Sequence, residues 1–473
     1  MGIFTEQPHL FINGQATAPA DGFFDVINPA TGAVFAQAPQ ASLGQLDEAV
    51  AGAQKALPAW GALSYAERGA VLLDIAAAIE ARSAELAKLI TLEQGKPLAV
   101  AEGEVQGTLA WIRYTAAQDL PVEVLEDSPH KRIELHRKPI GVVGSITPWN
   151  WPVMIATWHI FPALQCGNAV INKPSELTPL STLLLAQIIS DHVPAGVFSV
   201  VCGAGALGGA MSGHKGIDKI VFTGSTATGQ KIMVSAAETL KKLTLELGGN
   251  DAAIVLPDAN VAEIAPKIFA TAFINGGQTC AAIKRLYVHQ DLVAPLSQAL
   301  ADIAKQQIVG PGLDPSTTFG PVQNKAQYDK VKGLIDAAVA AGGEILSGAQ
   351  TFTEPGYYIQ PTVVVNVDDH HSVVTEEQFG PVLPVLAYTD IDDAIQRANA
   401  LSVGLGASVW GSDMAIMHQV ADQLEAGTVW LNNHAELAPH APFGGWKLSG
   451  IGVEFGLDGL KANTIVQTKQ ISR

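Results

Sequence analysis

Through the first quarter of the chain, apolar side chains recur at helical spacing. Leu72, Ile75, Ala76, Ile79, Leu86, Leu89 and Ile90 fall on one face, and the pattern predicts helices over 47–60 and 65–91. Short apolar runs bounded by turn residues read as strands at 11–13 and 23–28. Residues 132–136, Arg-Ile-Glu-Leu-His, alternate as a half-exposed strand does. Such a strand outside the main fold could pair with another subunit, or with the strand predicted at 463–469.

From residue 140 the rhythm becomes strand, turn, helix. Strands at 140–146, 169–172, 198–201, 219–222 and 242–246 alternate with helices at 151–164, 177–192, 206–212 and 226–238. That alternation implies a parallel sheet covered on both faces, an architecture of the nucleotide-binding type. A second α/β series occupies 252–431, with strands at 253–256, 285–289, 382–387 and 407–410. Its helices are expected at 261–274, 292–307, 325–341, 391–401 and 414–424. No charged linker divides the two series, so the boundary is placed near Gly248-Gly249.

Composition narrows the picture. A chain of 473 residues calls for two or three domains, and 48% hydrophobic with 15% charged residues excludes extended disorder. A net charge of −17 disfavours nucleic acid and anionic membrane surfaces. Residues 139–172 contain no Asp, Glu, Lys or Arg, yet Pro148, Pro152, Pro162, Gly141, Gly144 and Gly167 cut the run into pieces that read as buried interior. The start, Met1 to Glu6, carries no export or lipidation signal, and three cysteines fit a reducing cytoplasm.

Of those cysteines, Cys166 and Cys202 lie in apolar runs and read as packing. Cys280 differs, because Asn275-Gly276-Gly277-Gln278-Thr279 precedes it, a polar, glycine-rich turn that can bring a thiol close to another segment. Asn150, in Pro148-Trp149-Asn150-Trp151-Pro152, follows a strand and could donate to an oxyanion, although a residue of this kind more often caps the next helix. Lys173-Pro174-Ser175-Glu176 could bind a ribose at a strand end. Phe222-Thr223-Gly224-Ser225 and the helix through Gly229 offer free N–H groups to a pyrophosphate, but match neither GxGxxG nor a P-loop. Glu246, in Glu246-Leu247-Gly248-Gly249, stands 34 positions before Cys280 and could serve as a base if desolvated. Glu377-Gln378-Phe379-Gly380-Pro381 and Pro442-Phe443-Gly444-Gly445 complete the set.

Taken together and in this order, over essentially the whole chain, these motifs resemble the hydrolytic, NAD(P)-dependent branch of the aldehyde dehydrogenase superfamily. The resemblance implies an α/β fold with a Rossmann-like cofactor domain (1–117 and 139–247), an α/β catalytic domain (248–449) and a small β oligomerisation flap (118–138 and 458–473). It implies Cys280 as nucleophile, Glu246 as general base, and Asn150 with the Cys280 backbone N–H as oxyanion donors. It implies NAD, with NADP possible, held by Ile146, Thr147, Pro148, Trp149, Lys173, Pro174, Ser175, Glu176, Gly205, Phe222, Gly224, Ser225, Gly229, Leu247, Glu377 and Phe379. A homodimer or homotetramer is expected, with a small aldehyde as substrate and no metal.

Three positions depart from many relatives. His159 stands where Lys is common, opposite Glu454, so a proton route to Glu246 would titrate nearer neutrality. Trp158 and Ala281 occupy places that carry Arg and Ser in enzymes for carboxylate-bearing semialdehydes. With Trp151, Ile155, Thr279 and Phe443 they predict an apolar pocket for uncharged aliphatic or aromatic aldehydes. Transfer of the acyl group to CoA is a rival outcome that Glu246 argues against, and a catalytically silent structural or binding protein on the same fold is another.

Overall fold

The strands at the centre of the molecule, Val142–Ile146, Ala169–Lys173 and Lys219–Thr223, are buried on both faces, as continuous apolar runs in a parallel sheet should be. This is a computed structural model, and it describes residues 8–348, 352 and 355–473; the reading of Met1 to Glu6 lies outside them. The first sheet has eight strands, in the order Gln15–Thr17, Leu10–Ile12, Phe198–Val200, Ala169–Lys173, Val142–Ile146, Lys219–Thr223, Lys242–Glu246, Gly450–Ile451. Its five inner strands are parallel. Their order reverses direction between Val142–Ile146 and Lys219–Thr223, and crevices at such a switch point receive ligands.

A second sheet of seven strands runs Glu344–Ser347, Thr362–Val365, Val382–Tyr388, Ile283–His289, Asp251–Val255, Gly406–Trp410, Thr428–Leu431, parallel except for the first pair. Only the four residues 247–250 join Glu246, which ends a strand of one sheet, to Asp251, which begins a strand of the other. The carboxyl ends of the first sheet therefore face the amino ends of the second, and everything at that seam is held by both cores. Ser449 stitches the seam: its carbonyl accepts from Leu247 N (2.8 Å) and its hydroxyl donates to Gly248 O (2.7 Å).

The strand expected at 132–136 is Lys131–Pro139, and it lies in the middle of a three-stranded sheet. Thr464–Ser472 pairs along its full length on one side and Glu123–Asp127 on the other. Both its edges are thus filled within the chain, which corrects the expectation that this strand itself is free to pair with another subunit. The expected helix 65–91 is two helices, Tyr65–Ala81 and Ser83–Gln94, broken where Arg82 leaves helical geometry (φ −113°, ψ 17°). Helix Leu98–Ala116, absent from the sequence reading, buries Glu104, Thr108 and Thr115 among its apolar residues, which blurs the period. Among the described residues, no helix is long and apolar enough to cross a membrane.

Candidate active site

Three consecutive residues in left-handed geometry, Asn275 (φ 51°), Gly276 (67°) and Gly277 (72°), turn the chain out of helix Val261–Ala272 and towards Cys280. At Gly277 a side chain would run into the Gly380 backbone, so the residue must be glycine. The turn is pinned by Gln278, whose side chain donates to Asn275 O (3.0 Å) and accepts from Gln323 N (2.8 Å). Cys280 emerges half-buried on a cleft of about 220 Å³, facing Asn150, Thr223, Gly224, Leu247, Glu377 and Phe379. Burial pushes its thiol up to about 12; Lys284 pulls the other way, and the charges of Glu377, Asp251 and Glu246 add to the rise. Lys284 Nζ donates to Thr279 O (2.8 Å) and to the Cys280 carbonyl, so it orders the loop as well as charging it.

Asn150 comes to the same cleft from the other sheet. Its Nδ2 donates to Gln278 O (3.0 Å), tying it to the cysteine loop, while its Oδ1 has no partner. The helix that follows begins at Pro152, and its first free N–H groups, Val153 and Met154, are taken by Glu104 Oε1 at 3.0 and 3.2 Å. Asn150 is therefore not a helix cap.

Glu246 stands one layer behind the cleft. It is buried, both carboxyl oxygens lack a hydrogen-bond partner, and burial followed by the charge of Glu454 raises its pKa well above the usual carboxylate value. His159 Nε2 lies 3.2 Å from Glu454 Oε1 and 2.9 Å from Thr223 Oγ1, and Nδ1 lies 3.0 Å from Ser145 Oγ. The pair named from the sequence is thus in contact, at the end of the strand next to that of Glu246.

The cleft widens into a second space of about 560 Å³ over the switch point of the first sheet. Ile146, Thr147, Pro148, Trp149, Lys173, Ser175, Glu176, Gly205, Phe222, Gly224 and Ser225 line it. Lys173 Nζ sits 3.7 Å from Glu176 Oε2 on its wall, and helix Thr226–Ala237 opens towards it from the cap at Ser225. A side chain at Gly205 would meet nothing, so the wall there is open backbone. Two residues lie off the lining: Pro174 gives its carbonyl to Lys173 Nζ (3.0 Å), and Gly229 lets its helix press on Leu247. Leu247 itself lines the narrower cleft, as do Glu377 and Phe379, where Glu377 Oε1 accepts from Gly249 N (3.1 Å) and the Phe379 ring meets Trp149 edge-on at 5.4 Å. A long space with a helix N-terminus at its middle, a Lys–Glu pair at one end and a carboxylate beside the thiol at the other fits a dinucleotide.

Beyond the thiol, Trp151, Ile155, Trp158, Ala281 and Phe443 form one apolar cluster, and Thr279 Oγ1 accepts from Trp151 Nε1 (3.0 Å). The cluster also takes in Trp111, Phe455, Trp430, Leu405 and Leu437, none of them identified in the sequence. Trp158 packs edge-on to Phe455 at 4.8 Å and tilted on Trp111 at 5.7 Å. The Lys96 ammonium lies against this cluster, 3.6 Å from the centre of the Trp151 ring.

A thiol and an amide on one cleft wall, backed by an apolar cluster and continuous with a dinucleotide-shaped space, are what a dinucleotide-dependent oxidoreductase needs. The chain belongs to the aldehyde dehydrogenase family, whose model matches residues 16–470. It is 37% identical over 465 residues to the aldehyde dehydrogenase LUC3 of Fusarium sp, covering 98% of each chain. Among solved structures, the NAD+ complex of aldehyde dehydrogenase from Bacillus cereus superposes with a TM-score of 0.97 at 36% identity, over 99% of this chain and 97% of that one. An NADP dependent enzyme of E. coli gives 0.96 at 34%, over 99% and 98%. The protein is accordingly an oxidoreductase that acts on the aldehyde group with NAD or NADP.

Proposed function

We propose that the protein oxidises an uncharged aliphatic or aromatic aldehyde to its carboxylic acid, with Cys280 as nucleophile, Asn150 and the Cys280 N–H as oxyanion donors, and Glu246 as the base for hydrolysis. The observation that carries this is the seam itself, where thiol and amide share one cleft wall and the side chains packed behind them, Trp151, Ile155, Trp158, Ala281 and Phe443, are apolar. Cys280, once its proton has left through the cleft, forms a C–S bond to the carbonyl carbon, and the carbonyl electron pair moves to oxygen. The oxyanion so formed meets the free N–H of the Asn150 amide. NAD(P) bound in the adjoining cleft supplies the hydride acceptor. Loss of hydride leaves a thioester on Cys280. Glu246 then takes a proton from water as the water oxygen attacks the thioester carbon; the C–S bond breaks, the departing sulfur takes up the proton from Glu246, and acid and thiol are released.

The cofactor residues we assign are those on the cleft wall, with Pro174 and Gly229 acting through Lys173 and Leu247. We assign domain limits of 1–117 with 139–247, 248–449, and 118–138 with 458–473: seven of the eight strands of the first sheet fall in the first unit and the seven-stranded sheet in the second, while strand Gly450–Ile451 lies outside these limits. We assign a homodimer or homotetramer built on the small sheet: strand Thr464–Ser472 is exposed and keeps one edge unpaired among the described residues. A net charge of −17 and three free thiols support a cytoplasmic enzyme without a nucleic-acid or membrane partner. An aldehyde panel followed at the nicotinamide absorbance, with each cofactor and with and without CoA, tests the reading. Hexanal or benzaldehyde should be turned over in preference to succinate semialdehyde, with free acid as product; the reverse preference, or an acyl-CoA product, would overturn it.

A further inference from the structure

Behind Asn150 lies a buried ion pair that no step above uses. Lys96 and Glu104 both have side chains with 0% exposure, and Lys96 Nζ is 2.6 Å from Glu104 Oε2. The same ammonium donates to the Asn150 backbone carbonyl at 2.9 Å and sits 3.6 Å from the centre of the Trp151 ring. Asn275 Nδ2, from the cysteine turn, donates to that carbonyl as well, at 2.8 Å. The other Glu104 oxygen holds the first N–H groups of the helix beginning at Pro152. The Asn150 carbonyl is therefore gripped from two sides, while its side-chain amide, with one N–H on Gln278 O, keeps the other N–H to give.

A buried ion pair is weak support for stability, because desolvating two charges offsets much of their attraction. An apolar pair of the same volume would serve the core as well. What apolar residues could not do is grip one carbonyl, one indole face and one helix start at once. We propose that Lys96 and Glu104 are positioning residues for acylation: they fix the Asn150 peptide and the Trp151 ring against the Cys280 loop and so set where the Asn150 amide points. The inference rests on Asn150 being the oxyanion donor. An error of about 1 Å in such a group can cost on the order of 10²-fold in rate.

The test is a double-mutant cycle between Lys96→Met and Asn150→Ala, read as the single-turnover burst of reduced cofactor with saturating hexanal. Lys96→Met should slow the burst by about 10- to 100-fold in the parent enzyme but by less than about threefold in the Asn150→Ala background, since both changes remove one interaction. Alkylation of Cys280 by iodoacetamide, which forms no oxyanion, should stay within about twofold, and so should NAD affinity by tryptophan fluorescence. The variant K96M/E104Q is measured alongside, because it leaves no unpaired buried charge and keeps an acceptor for the Val153 N–H. Equal losses in both backgrounds, or alkylation falling in step with the burst, would overturn the proposal. Failure of both variants to fold would do so too, by making the pair structural. If Asn150→Ala alone has no effect, it is the oxyanion assignment that fails.

Discussion

Replacing Glu246, the base we assign to hydrolysis, by Gln removes that base and a buried ionisable group together, and the two losses act in opposite directions. The carboxyl is buried with neither oxygen hydrogen-bonded, and its pKa is raised first by burial and then by Glu454. Below the unfolded-chain value of about 4.3 both states hold the proton, so Glu and Gln are equivalent in charge there. As the pH rises past that value the unfolded chain ionises first while the folded chain keeps its proton. Folding is then weakened by about 1.4 kcal/mol per pH unit until the raised folded value is reached. Gln escapes this loss. Glu246→Gln should therefore melt higher than the parent at pH 8, with the advantage shrinking steadily as the pH falls towards 4.

Turnover should move the other way, because losing a general base costs about 10²–10⁴-fold in the step it serves. That step is hydrolysis, so rapid mixing with hexanal and NAD should show one burst equivalent of reduced cofactor per site and then near arrest. Steady turnover within threefold of the parent would refute the reasoning. So would a stabilising shift that is the same at pH 5 and pH 8.

Asn150→Ala should lower the burst rate by about 10²–10³-fold, the usual cost of one oxyanion donor, and should leave Cys280 alkylation nearly unchanged. Lys284→Met removes the cation that opposes the high thiol pKa of Cys280, so iodoacetamide alkylation at fixed pH should slow by roughly tenfold for each unit that the pKa rises. An unchanged rate would make Lys284 purely a loop-ordering group. His159→Lys keeps a positive charge beside Glu454 at every pH near neutrality, weakening the influence of Glu454 on Glu246. The rise of the hydrolytic rate with pH should then begin at lower pH, and an unmoved profile would dismiss His159 from the proton route.

Much of this site is legible in the sequence because its parts sit at strand ends with short, chemically marked turns. Lys173 and Glu246 end strands, Asn150 follows one and Cys280 precedes one, and periodicity locates each of these strands within a few residues. What is not legible is the set of groups that act on these from elsewhere. Glu104 lies in helix Leu98–Ala116, where Glu104, Thr108 and Thr115 occupy the inner face, so the apolar stripe that would reveal the helix is interrupted. Lys96 looks like any loop lysine until the fold shows its ammonium on Asn150 O, 54 positions away. Lys284 had a local signal, a cation four residues after the thiol, but which way it faced depended on the turn at Gly277. Trp111 and Phe455 meet in the apolar cluster although they lie more than 340 positions apart, and pattern alone cannot pair them. The strand at 132–136 was correctly paired with the C-terminal strand, but its second partner, Glu123–Asp127, is nearly all exposed and has no apolar period to betray it.

The central claim is that a single sulfur at the seam between the two sheets carries the substrate's acyl group. Glu246→Gln enzyme mixed with NAD and hexanal, quenched in acid during the arrested phase and digested, allows this to be read by peptide mass. The account predicts a hexanoyl group on the peptide containing Cys280, close to one per site and removable by hydroxylamine. An unmodified Cys280 peptide after a full burst of reduced cofactor, or the acyl group on Cys166, Cys202 or no residue, would contradict it.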